Sequence, residues 1–305
     1  GVAQNTLNAG TDTLTNIENL TGSAFNDSLS GDASANVLDG GLGDDTLNGG
    51  AGADTLIGGD GNDSYLVDNA GDVVSETNAA AAGGSDLVTS EIDYSLGANV
   101  ENLQLAGAAV TGIGNSLDNR ITGTTGNNTL QGGLGNDTLD GGAGTDTASY
   151  ADATAGVTVT LATPGVAQNT LNAGTDTLTS IENLTGSAFN DTLTGDAGAN
   201  KLEGGLGNDT LNGAAGADTL IGGDGNDSYL VDNAGDVVSE TNAAAAGGSD
   251  LVTSEVDYSL GANVENLQLA GTAVTGIGNS LDNRITGTAG NNLLQGGLGN
   301  DTLDG

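Results

Sequence analysis

Carboxylate side chains recur in this chain at one place in a nine-residue repeat, directly after a glycine-rich turn. The full form, Gly-Gly-x-Gly-x-Asp-x-Leu-x, occurs at residues 132–140, with Asp137 at the sixth position and Leu139 at the eighth. Ca²⁺ takes six to eight oxygen ligands in proteins, and carboxylates and backbone carbonyls are typical donors. The repeat is therefore expected to bind calcium, and it is typical of a parallel β-helix. Further copies, some with Tyr at the eighth position, occupy residues 40–48, 49–57, 58–66, 204–212, 222–230 and 296–304.

The candidate metal ligands are the sixth-position carboxylates and the carbonyl oxygens of the glycines in the turn. The next coil, two nonapeptides further along the chain, presents the same set from the other side, so one ion can lie between two coils. The predicted carboxylate ligands are Asp27, Asp45, Asp54, Asp63, Asp137, Asp146, Asp191, Asp209, Asp218, Asp227 and Asp301. The predicted carbonyl ligands are Gly41, Gly43, Gly50, Gly52, Gly59, Gly61, Gly133, Gly135, Gly142, Gly144, Gly205, Gly207, Gly216, Gly223, Gly225, Gly297 and Gly299.

Some repeats depart from the full pattern in the turn. Asp27 and Asp191 follow turns with fewer glycines, and Gly213-Ala214 breaks one glycine pair. Other repeats carry an amide at the sixth position. We expect those turns to bind calcium weakly or to be closed by hydrogen bonds of the Asn side chain. The amide positions are Asn36, Asn119, Asn128, Asn200, Asn283 and Asn292.

The composition excludes several other functions. The 305-residue chain has no His or Cys, which excludes the usual zinc and transition-metal ligands and any Ser-His or Cys-His nucleophile pair. A formal net charge of -38 with three basic residues excludes nucleic acid as a partner. No apolar run has the length of a membrane-spanning helix, and residues 1–10 lack the pattern of a signal peptide. The Asp residues recur everywhere and define no glycosidase cleft, so we expect no enzymatic activity.

The spacing of apolar residues predicts the fold class. Aliphatic residues or Tyr stand nine residues apart between Gly, Asn and Asp clusters, which indicates short strands alternating with turns. We predict an all-β fold, a right-handed parallel β-roll or β-helix in which two nonapeptides form one coil. Tyr65 and Tyr229 are expected in its core, and Phe25 and Phe189 are expected to pack as well. The other predicted inward residues are Leu20, Leu29, Leu38, Leu47, Leu56, Val74, Ile121, Leu130, Leu139, Ala148, Val157, Leu184, Leu193, Leu202, Leu211, Leu220, Val238, Ile285, Leu294 and Leu303.

The chain contains a long internal duplication, since residues 165–305 repeat residues 1–141 almost unchanged at an offset of 164. We predict a first repeat unit over residues 1–164 and a second, truncated unit over residues 165–305. Near-identity of the copies suggests a window cut from a longer tandem array. The nonapeptide blocks lie at about 22–66 and 114–149 in the first unit, and at about 186–230 and 278–305 in the second.

Less regular spacers separate the nonapeptide blocks. Residues 67–113 and 231–277 contain alternating patterns such as Asp-Leu-Val-Thr-Ser-Glu-Ile-Asp-Tyr-Ser-Leu, and residues 150–184 contain another. Alternation of this kind predicts strands. We therefore expect the spacers to continue the solenoid with longer coils, with a lateral excursion at residues 79–84.

The acidic charge predicts that folding depends on a cation. Forty-one Asp and Glu residues face three Lys and Arg, and a high net charge with few aromatic residues is typical of disordered chains. The strict period argues for a fold, however. We therefore expect the carboxylates to repel one another until calcium neutralises them and the coils form.

The nonapeptides and the spacer segment Asp-Ser-Tyr-Leu-Val-Asp-Asn-Ala-Gly-Asp-Val-Val at residues 63–74 resemble the RTX, or haemolysin-type, calcium-binding repeat family. This resemblance implies a parallel β-roll with several bound calcium ions. It also implies a protein that is disordered at low calcium, is secreted, and folds outside the cell or at its surface.

Two functions remain open. The first is an extracellular structural protein, in which tandem rolls stiffened by calcium form a stalk, a fibre or a surface layer. The second is a folding and secretion module of a type I secreted enzyme, toxin or adhesin whose active part lies elsewhere. The long tandem repetition favours the first. Because the open ends of a β-solenoid are strand edges, we expect self-association into a fibre or lattice, besides contact with calcium ions and a cell surface.

Overall fold

The computed structural model describes residues 3–5, 11–77, 83–240 and 247–305. Within these ranges every regular element is a β-strand. No helix long and apolar enough to cross a membrane is found in them. The chain divides into two compact units, Gly1–Asn115 and Ser116–Gly305. The repeat units predicted from the duplication, residues 1–164 and 165–305, have other bounds than these compact units and remain a prediction. Most of the predicted excursion at 79–84 lies outside the described residues.

The first unit is built from short strands that alternate between two main parallel sheets. Strands β3, β5, β7 and β9 pair in one sheet, and β4, β6, β8, β10 and β12 pair in the other. In addition β11 pairs with β13 in parallel, and β1 with β2 antiparallel. The bounds are β1 (Ala3–Asn5), β2 (Thr11–Thr13), β3 (Asn19–Thr21), β4 (Ser28–Ser30), β5 (Val37–Leu42), β6 (Thr46–Asn48), β7 (Thr55–Asp60), β8 (Ser64–Val67), β9 (Val73–Ser75), β10 (Leu87–Ser90), β11 (Tyr94–Ser95), β12 (Asn102–Leu105) and β13 (Thr111–Ile113).

The strands of the second unit alternate in the same way and pair almost entirely in parallel. Their bounds are β14 (Arg120–Thr122), β15 (Thr129–Gln131), β16 (Thr138–Asp140), β17 (Thr147–Ser149), β18 (Thr158–Thr160), β19 (Gln168–Asn169), β20 (Thr175–Thr179), β21 (Asn183–Thr185), β22 (Thr192–Thr194), β23 (Lys201–Leu206), β24 (Thr210–Asn212), β25 (Thr219–Asp224), β26 (Ser228–Val231), β27 (Val237–Ser239), β28 (Leu251–Ser254), β29 (Tyr258–Ser259), β30 (Asn266–Leu269), β31 (Thr275–Ile277), β32 (Arg284–Thr286), β33 (Leu293–Gln295) and β34 (Thr302–Asp304).

The described strands of the second unit form several paired groups. One sheet contains β15, β17, β21, β23, β25 and β27, and another contains β18, β22, β24, β26, β28, β30, β32 and β34. The strands β14, β16 and β20 pair in parallel, with β19 antiparallel to β20, and β29, β31 and β33 form a further parallel group. Parallel pairing of alternate strands makes each unit a β-solenoid, as predicted.

The strand register gives the length of each coil. In the first unit Leu47 lies beside Tyr65, which is a step of two nonapeptides. The spacer alters that step, because Tyr65 pairs with Val88 across a longer stretch of chain, and Val88 then pairs with Leu103 across a shorter one. The predicted coil of two nonapeptides is confirmed, and so is the continuation of the solenoid through the spacer.

The second unit repeats this register, and a longer step between paired strands precedes it in the chain. Tyr229 pairs with Val252, the same lengthened step as in the first unit. Earlier in the unit Leu139 pairs directly with Leu178, and the chain between them forms β17 and β18, which pair in parallel with β21 and β22 of other sheets. The spacer at 150–184 is thus part of the solenoid, with longer coils as expected.

A row of aliphatic side chains fills the interior of both units. Successive side chains of a strand point to opposite faces, so the middle residue of a three-residue strand turns inward, as in β6 with Leu47 buried and Thr46 exposed. Burying one such side chain stabilises the fold by about 1.5–3 kcal/mol. The predicted inward residues that are buried are Leu38, Leu47, Leu56, Tyr65, Val74, Ile121, Leu130, Leu139, Ala148, Val157, Leu184, Leu193, Leu202, Leu211, Leu220, Tyr229, Val238 and Ile285.

The prediction for the two phenylalanines is wrong. Phe25 and Phe189 are 73% and 45% exposed, because they stand at the fourth position of a turn, outside the row of inward strand residues. Leu20, Leu29 and Leu294 are only half-buried, and Leu303 is 46% exposed.

The glycine turns require backbone conformations that other residues rarely adopt. Every glycine predicted as a carbonyl ligand has a positive φ, for example 105° at Gly41 and 109° at Gly59. Such a conformation costs an L-residue roughly 1–2 kcal/mol. A Cβ at Gly59 would also lie 2.2 Å from the carbonyl oxygen of Gly41 in the preceding coil. Glycine is therefore needed both for the turn and for the close stacking of coils.

One turn keeps this conformation without glycine, and this leads to a prediction. Ala214 has a φ of 60°, so Ala214→Gly should stabilise the second unit by about 1 kcal/mol. Gly50 is the equivalent residue of the first copy, and a Cβ there would lie 2.4 Å from the Asp32 carbonyl oxygen. Gly50→Ala should therefore destabilise the fold. Urea unfolding in saturating calcium measures both, and midpoints that shift in the same direction contradict the argument.

Candidate metal centre

The sixth-position carboxylates are buried although they belong to turns. Asp45 directly precedes β6, Asp63 precedes β8 and Asp209 precedes β24, and each side chain is 1% exposed. Because the strands that follow are in parallel register, these side chains stack in columns from coil to coil. The candidate ligands thus lie beside the core, inside the coils.

One oxygen of each carboxylate ties two coils together. The Asp27 N–H donates to Asp45 Oδ1 at 2.7 Å, and the Asp45 N–H donates to Asp63 Oδ1 at 2.7 Å. In the second unit the Asp191 N–H donates to Asp209 Oδ1 at 2.8 Å, and the Asp209 N–H to Asp227 Oδ1 at 2.7 Å. We call each such column of carboxylates and N–H groups a carboxylate ladder. It satisfies the backbone of one turn with the side chain of the next.

The second oxygen of most of these carboxylates has no hydrogen-bond donor among the described residues. A buried acceptor without a partner costs about 1–3 kcal/mol, and more when it is charged. A cation would supply the partner that these oxygens lack. The predicted ligands with an unpartnered, buried Oδ2 are Asp45, Asp54, Asp63, Asp137, Asp146, Asp209, Asp218 and Asp227.

Burial without a positive partner changes the protonation of these groups. All three basic residues, Arg120, Lys201 and Arg284, are exposed. Desolvation raises the pKa of Asp45 to about 6 and the pKa of Asp209 to about 7, and neighbouring carboxylates add to the effect. A hard divalent cation with oxygen ligands restores the charged form, so these residues fit calcium.

In turns with an amide at the sixth position, the Asn side chain accepts an N–H of its own turn. Asn36 Oδ1 accepts the Asp32 N–H at 2.7 Å, and Asn200 Oδ1 accepts the Asp196 N–H at 2.8 Å. Asn128 and Asn283 accept the N–H of Thr124 and of Asn279 in the same way. The predicted closure of amide turns by Asn hydrogen bonds is confirmed at these four positions.

Asp27 and Asp191 accept an N–H of their own turn, as the Asn side chains do. The Ser23 N–H donates to Asp27 Oδ2, and the Ser187 N–H donates to Asp191 Oδ2 at 2.6 Å. Asp191 Oδ1 also accepts the Val157 N–H at 2.7 Å. The Oδ2 of both residues therefore has a donor, whereas the Oδ2 of most carboxylates after glycine pairs has none. Asp301 is half-buried, and its Oδ1 accepts the Asn283 N–H at 3.0 Å.

A residue with positive φ at the second turn position directs its N–H away from the carboxylate. The Gly50 N–H donates to Asn48 Oδ1 at 2.9 Å, and the Ala214 N–H donates to Asn212 Oδ1 at 2.9 Å. The residue at the second turn position thus determines whether the carboxylate Oδ2 accepts an N–H of its own turn or has no hydrogen-bond donor.

Four of the glycine carbonyls predicted as ligands face the following coil, and their role as ligands stays a prediction. The carbonyl oxygens of Gly41 and Gly43 face Gly59 and Gly61 of the following coil, and a Cβ at Gly61 would lie 2.1 Å from the Gly43 oxygen. Gly205 and Gly207 face Gly223 and Gly225 in the same way. In such a turn the bonded carboxylate oxygen therefore faces the preceding coil, and the glycine carbonyls face the following coil.

The sequence prediction missed several buried acids in the spacers. Asp86 and Asp250 continue the ladders, since the Asp63 N–H donates to Asp86 Oδ1 at 2.7 Å and the Asp227 N–H to Asp250 Oδ1 at 2.8 Å. Asp176 likewise accepts the Asp137 N–H at 3.0 Å. The signal was present, because each is the Asp of a Gly-x-Asp-x-apolar sequence without the first glycine pair. Other buried spacer acids are Asp72, Glu76, Asp236 and Glu240.

The pKa shifts predict how stability depends on pH when calcium is absent. Burial raises the pKa of Asp45, Asp137 and Asp209 from 3.8 to between about 6 and about 7. The folded, metal-free chain therefore binds more protons than the unfolded chain, and its stability falls as pH rises from about 4 to about 7. Calcium should reverse this trend, because it binds the ionised carboxylates. Circular dichroism against pH, with and without calcium, measures it. A metal-free β signal that stays constant or grows over this range contradicts the argument.

The closure of some turns predicts different roles for two neighbouring carboxylates. Asp209→Asn should weaken calcium binding at one site by roughly ten-fold or more, because Asp209 Oδ2 has no other partner. Asp191→Asn is the matched control in the same ladder, and it should have a much smaller effect because Ser187 already binds that oxygen. Calorimetric titration with calcium compares the two. Equal losses would show that turn closure does not govern binding.

Comparison with known proteins agrees with this geometry. The family model for the RTX calcium-binding nonapeptide repeat (4 copies) matches more than half of the chain, at residues 12–47, 30–65, 39–74, 113–148, 170–211, 195–229, 203–238 and 277–305. No curated protein matches the chain significantly. Repeats of this family bind calcium, and their multiple copies here imply multiple calcium sites. The chain therefore belongs to the RTX calcium-binding nonapeptide repeat family.

Proposed function

We propose that this protein is an extracellular structural protein whose tandem β-rolls become rigid when calcium binds, and that it has no enzymatic activity. The observation that carries the proposal is the carboxylate ladder. Buried carboxylates with an unpartnered oxygen recur in both units, while the basic side chains of the described residues are exposed. Such a chain needs an ion in many turns to keep its coils together.

The strength of the coupling supports an extracellular location. A site at ten times its dissociation constant contributes about 1.4 kcal/mol to stability. Several such sites approach the roughly 5–15 kcal/mol that typically stabilise a domain. Extracellular calcium modules bind with dissociation constants of about 10⁻⁴–10⁻³ M. At those affinities the chain stays unfolded at low calcium and folds where calcium is abundant.

The repetition supports a structural role over catalysis. The two sequence copies have the same register around the spacer, with Tyr65 beside Val88 and Tyr229 beside Val252. The carboxylate ladder recurs through both units, whereas a catalytic acid and base would be one distinct pair in a cleft. A uniform array of this kind suits a stalk, fibre or surface layer.

Apolar side chains on the turns support self-association. Leucine at the third turn position is exposed at Leu42, Leu134, Leu206 and Leu298, by 49–73%. These leucines recur between the two sequence copies at the offset of 164 residues, and exposed apolar surface favours contact with another apolar surface. Another copy of the chain carries the same leucines and is therefore the proposed partner.

Electron microscopy and circular dichroism of the full chain, in calcium and in EGTA, test the proposed function. We expect a β signal and ordered fibres or sheets in calcium, and loss of both on chelation. A β signal that survives chelation contradicts calcium-dependent rigidity. Isolated monomers that fold only in calcium contradict the array, and favour a folding and secretion module attached to an enzyme, toxin or adhesin.

A further inference from the structure

A cluster of three buried carboxylates lies where the first nonapeptide block of the first unit meets its spacer. Asp63, Glu76 and Asp86 bring carboxylate oxygens within 4.8 Å of one another. Their side chains are 1%, 7% and 1% exposed. Three negative charges at this separation, without a cation, repel strongly. We call this group the acidic triad.

The triad has oxygens that nothing in the described part of the protein satisfies. Asp63 Oδ1 accepts the Asp45 N–H, and Asp86 Oδ1 accepts the Asp63 N–H, so both residues use one oxygen in the ladder. The second oxygens, Asp63 Oδ2 and Asp86 Oδ2, have no partner, and neither has Glu76 Oε2. Each residue therefore keeps one buried, unpartnered carboxylate oxygen within the cluster.

Neighbouring groups orient the triad and pack closely against it. The Tyr65 hydroxyl and the Gly59 N–H donate to the Glu76 carboxylate. A Cβ at Gly58 would lie 2.2 Å from Asp63 Oδ2, 2.3 Å from Glu76 Oε1 and 1.9 Å from the Tyr65 hydroxyl oxygen. The missing side chain of Gly58 thus allows these groups to converge.

The second unit contains the same arrangement. Asp227, Glu240 and Asp250 are buried, place oxygens within 4.8 Å of one another, and each keep one oxygen without a partner. The Tyr229 hydroxyl donates to Glu240, and a Cβ at Gly222 would lie 2.2 Å from Asp227 Oδ2. Two copies of one buried polar arrangement point to a site with a ligand.

We propose that each acidic triad is a closed calcium site of a second kind, formed by three carboxylates at the junction of a nonapeptide block and its spacer. It differs from the turn sites because Glu76 and Asp86 come from the spacer and replace neutral backbone carbonyls as ligands. The buried setting favours Ca²⁺ over Mg²⁺, since Mg²⁺ usually keeps several of its waters. Neighbouring groups from the protein leave little room for such waters.

The charge of the triad sets its place in the order of binding. Calcium affinity rises with the number of charged ligands, and this site has three carboxylates where a turn has one per coil. The triads therefore fill before the nonapeptide turns. Filling joins β8, β9 and β10 of the first unit, because Asp63 precedes β8, Glu76 follows β9 and Asp86 precedes β10. The spacer coil thus orders at a lower calcium concentration than the turns.

Terbium luminescence of the full chain tests the site, because Tb³⁺ replaces Ca²⁺ and is excited by a nearby tyrosine. Tyr65 and Tyr229 adjoin the triads, so the first ions bound should give tyrosine-sensitised emission. In the double variant E76Q/E240Q we expect the dissociation constant of this first step to rise roughly ten-fold or more. The control E91Q/E255Q removes the same charge from exposed residues of the same spacers, and should leave the step unchanged.

A second variant keeps the test independent of the charge change. Y65F/Y229F retains the buried rings and all carboxylates, and should strongly reduce the sensitised emission of the first step while the chain still binds calcium. Tyr94 and Tyr258, which lie beside Val74 and Val238, account for the remaining emission. The site is overturned if emission is undiminished in Y65F/Y229F, if E76Q/E240Q binds as tightly as the parent, or if E91Q/E255Q weakens binding equally. These readouts do not depend on fibre formation, so a failed triad and a failed array are distinguishable.

Discussion

The structure depends on carboxylates that are buried in a stack of turns with one oxygen bonded and the other without a donor. The bonded oxygen accepts the N–H of the preceding coil, as Asp63 Oδ1 does from Asp45 at 2.7 Å. This hydrogen bond holds the register. The unpartnered oxygen costs free energy that hydrogen bonds do not recover. In the proposed function a calcium ion recovers it, and folding and calcium binding then form one equilibrium that depends on the same side chains.

Glycine makes this arrangement possible at two levels. At Gly41 and Gly59 a positive φ reverses the chain within a few residues, and the absent Cβ lets the Gly41 carbonyl approach the next coil. At the second position of the turn, glycine also directs its N–H away from the carboxylate, as the Gly50 N–H bonded to Asn48 shows. Where serine stands instead, as at Ser187, the N–H donates to Asp191 Oδ2, so that this oxygen has a partner within its own turn.

The spacers vary the solenoid without interrupting it. The step from Tyr65 to Val88 is longer than two nonapeptides and the next, from Val88 to Leu103, is shorter, so the extra length of one coil is partly offset in the following coil. Acidic residues gather at this irregular step because the ladder continues through Asp86 while Glu76 enters from the preceding strand. Irregular coils are thus the places where the number of charged ligands can increase.

The sequence by itself determined the coil, the inward row and the turn carboxylates, because a nine-residue period with glycine before Asp and Leu after it allows few other arrangements. For the amide turns it left weak calcium binding or closure by Asn hydrogen bonds as alternatives, and the structure shows closure at Asn36, Asn128, Asn200 and Asn283. Only the tertiary structure decided which carboxylates lack a partner, because that depends on the N–H direction at the second turn position. Tertiary structure alone also brought Asp63, Glu76 and Asp86 together, because the lengthened spacer coil sets their spacing and no local period encodes it. The exposure of Phe25 was missed for a different reason, because its residue type suggested packing whereas its fourth position in the turn places it outside the inward row.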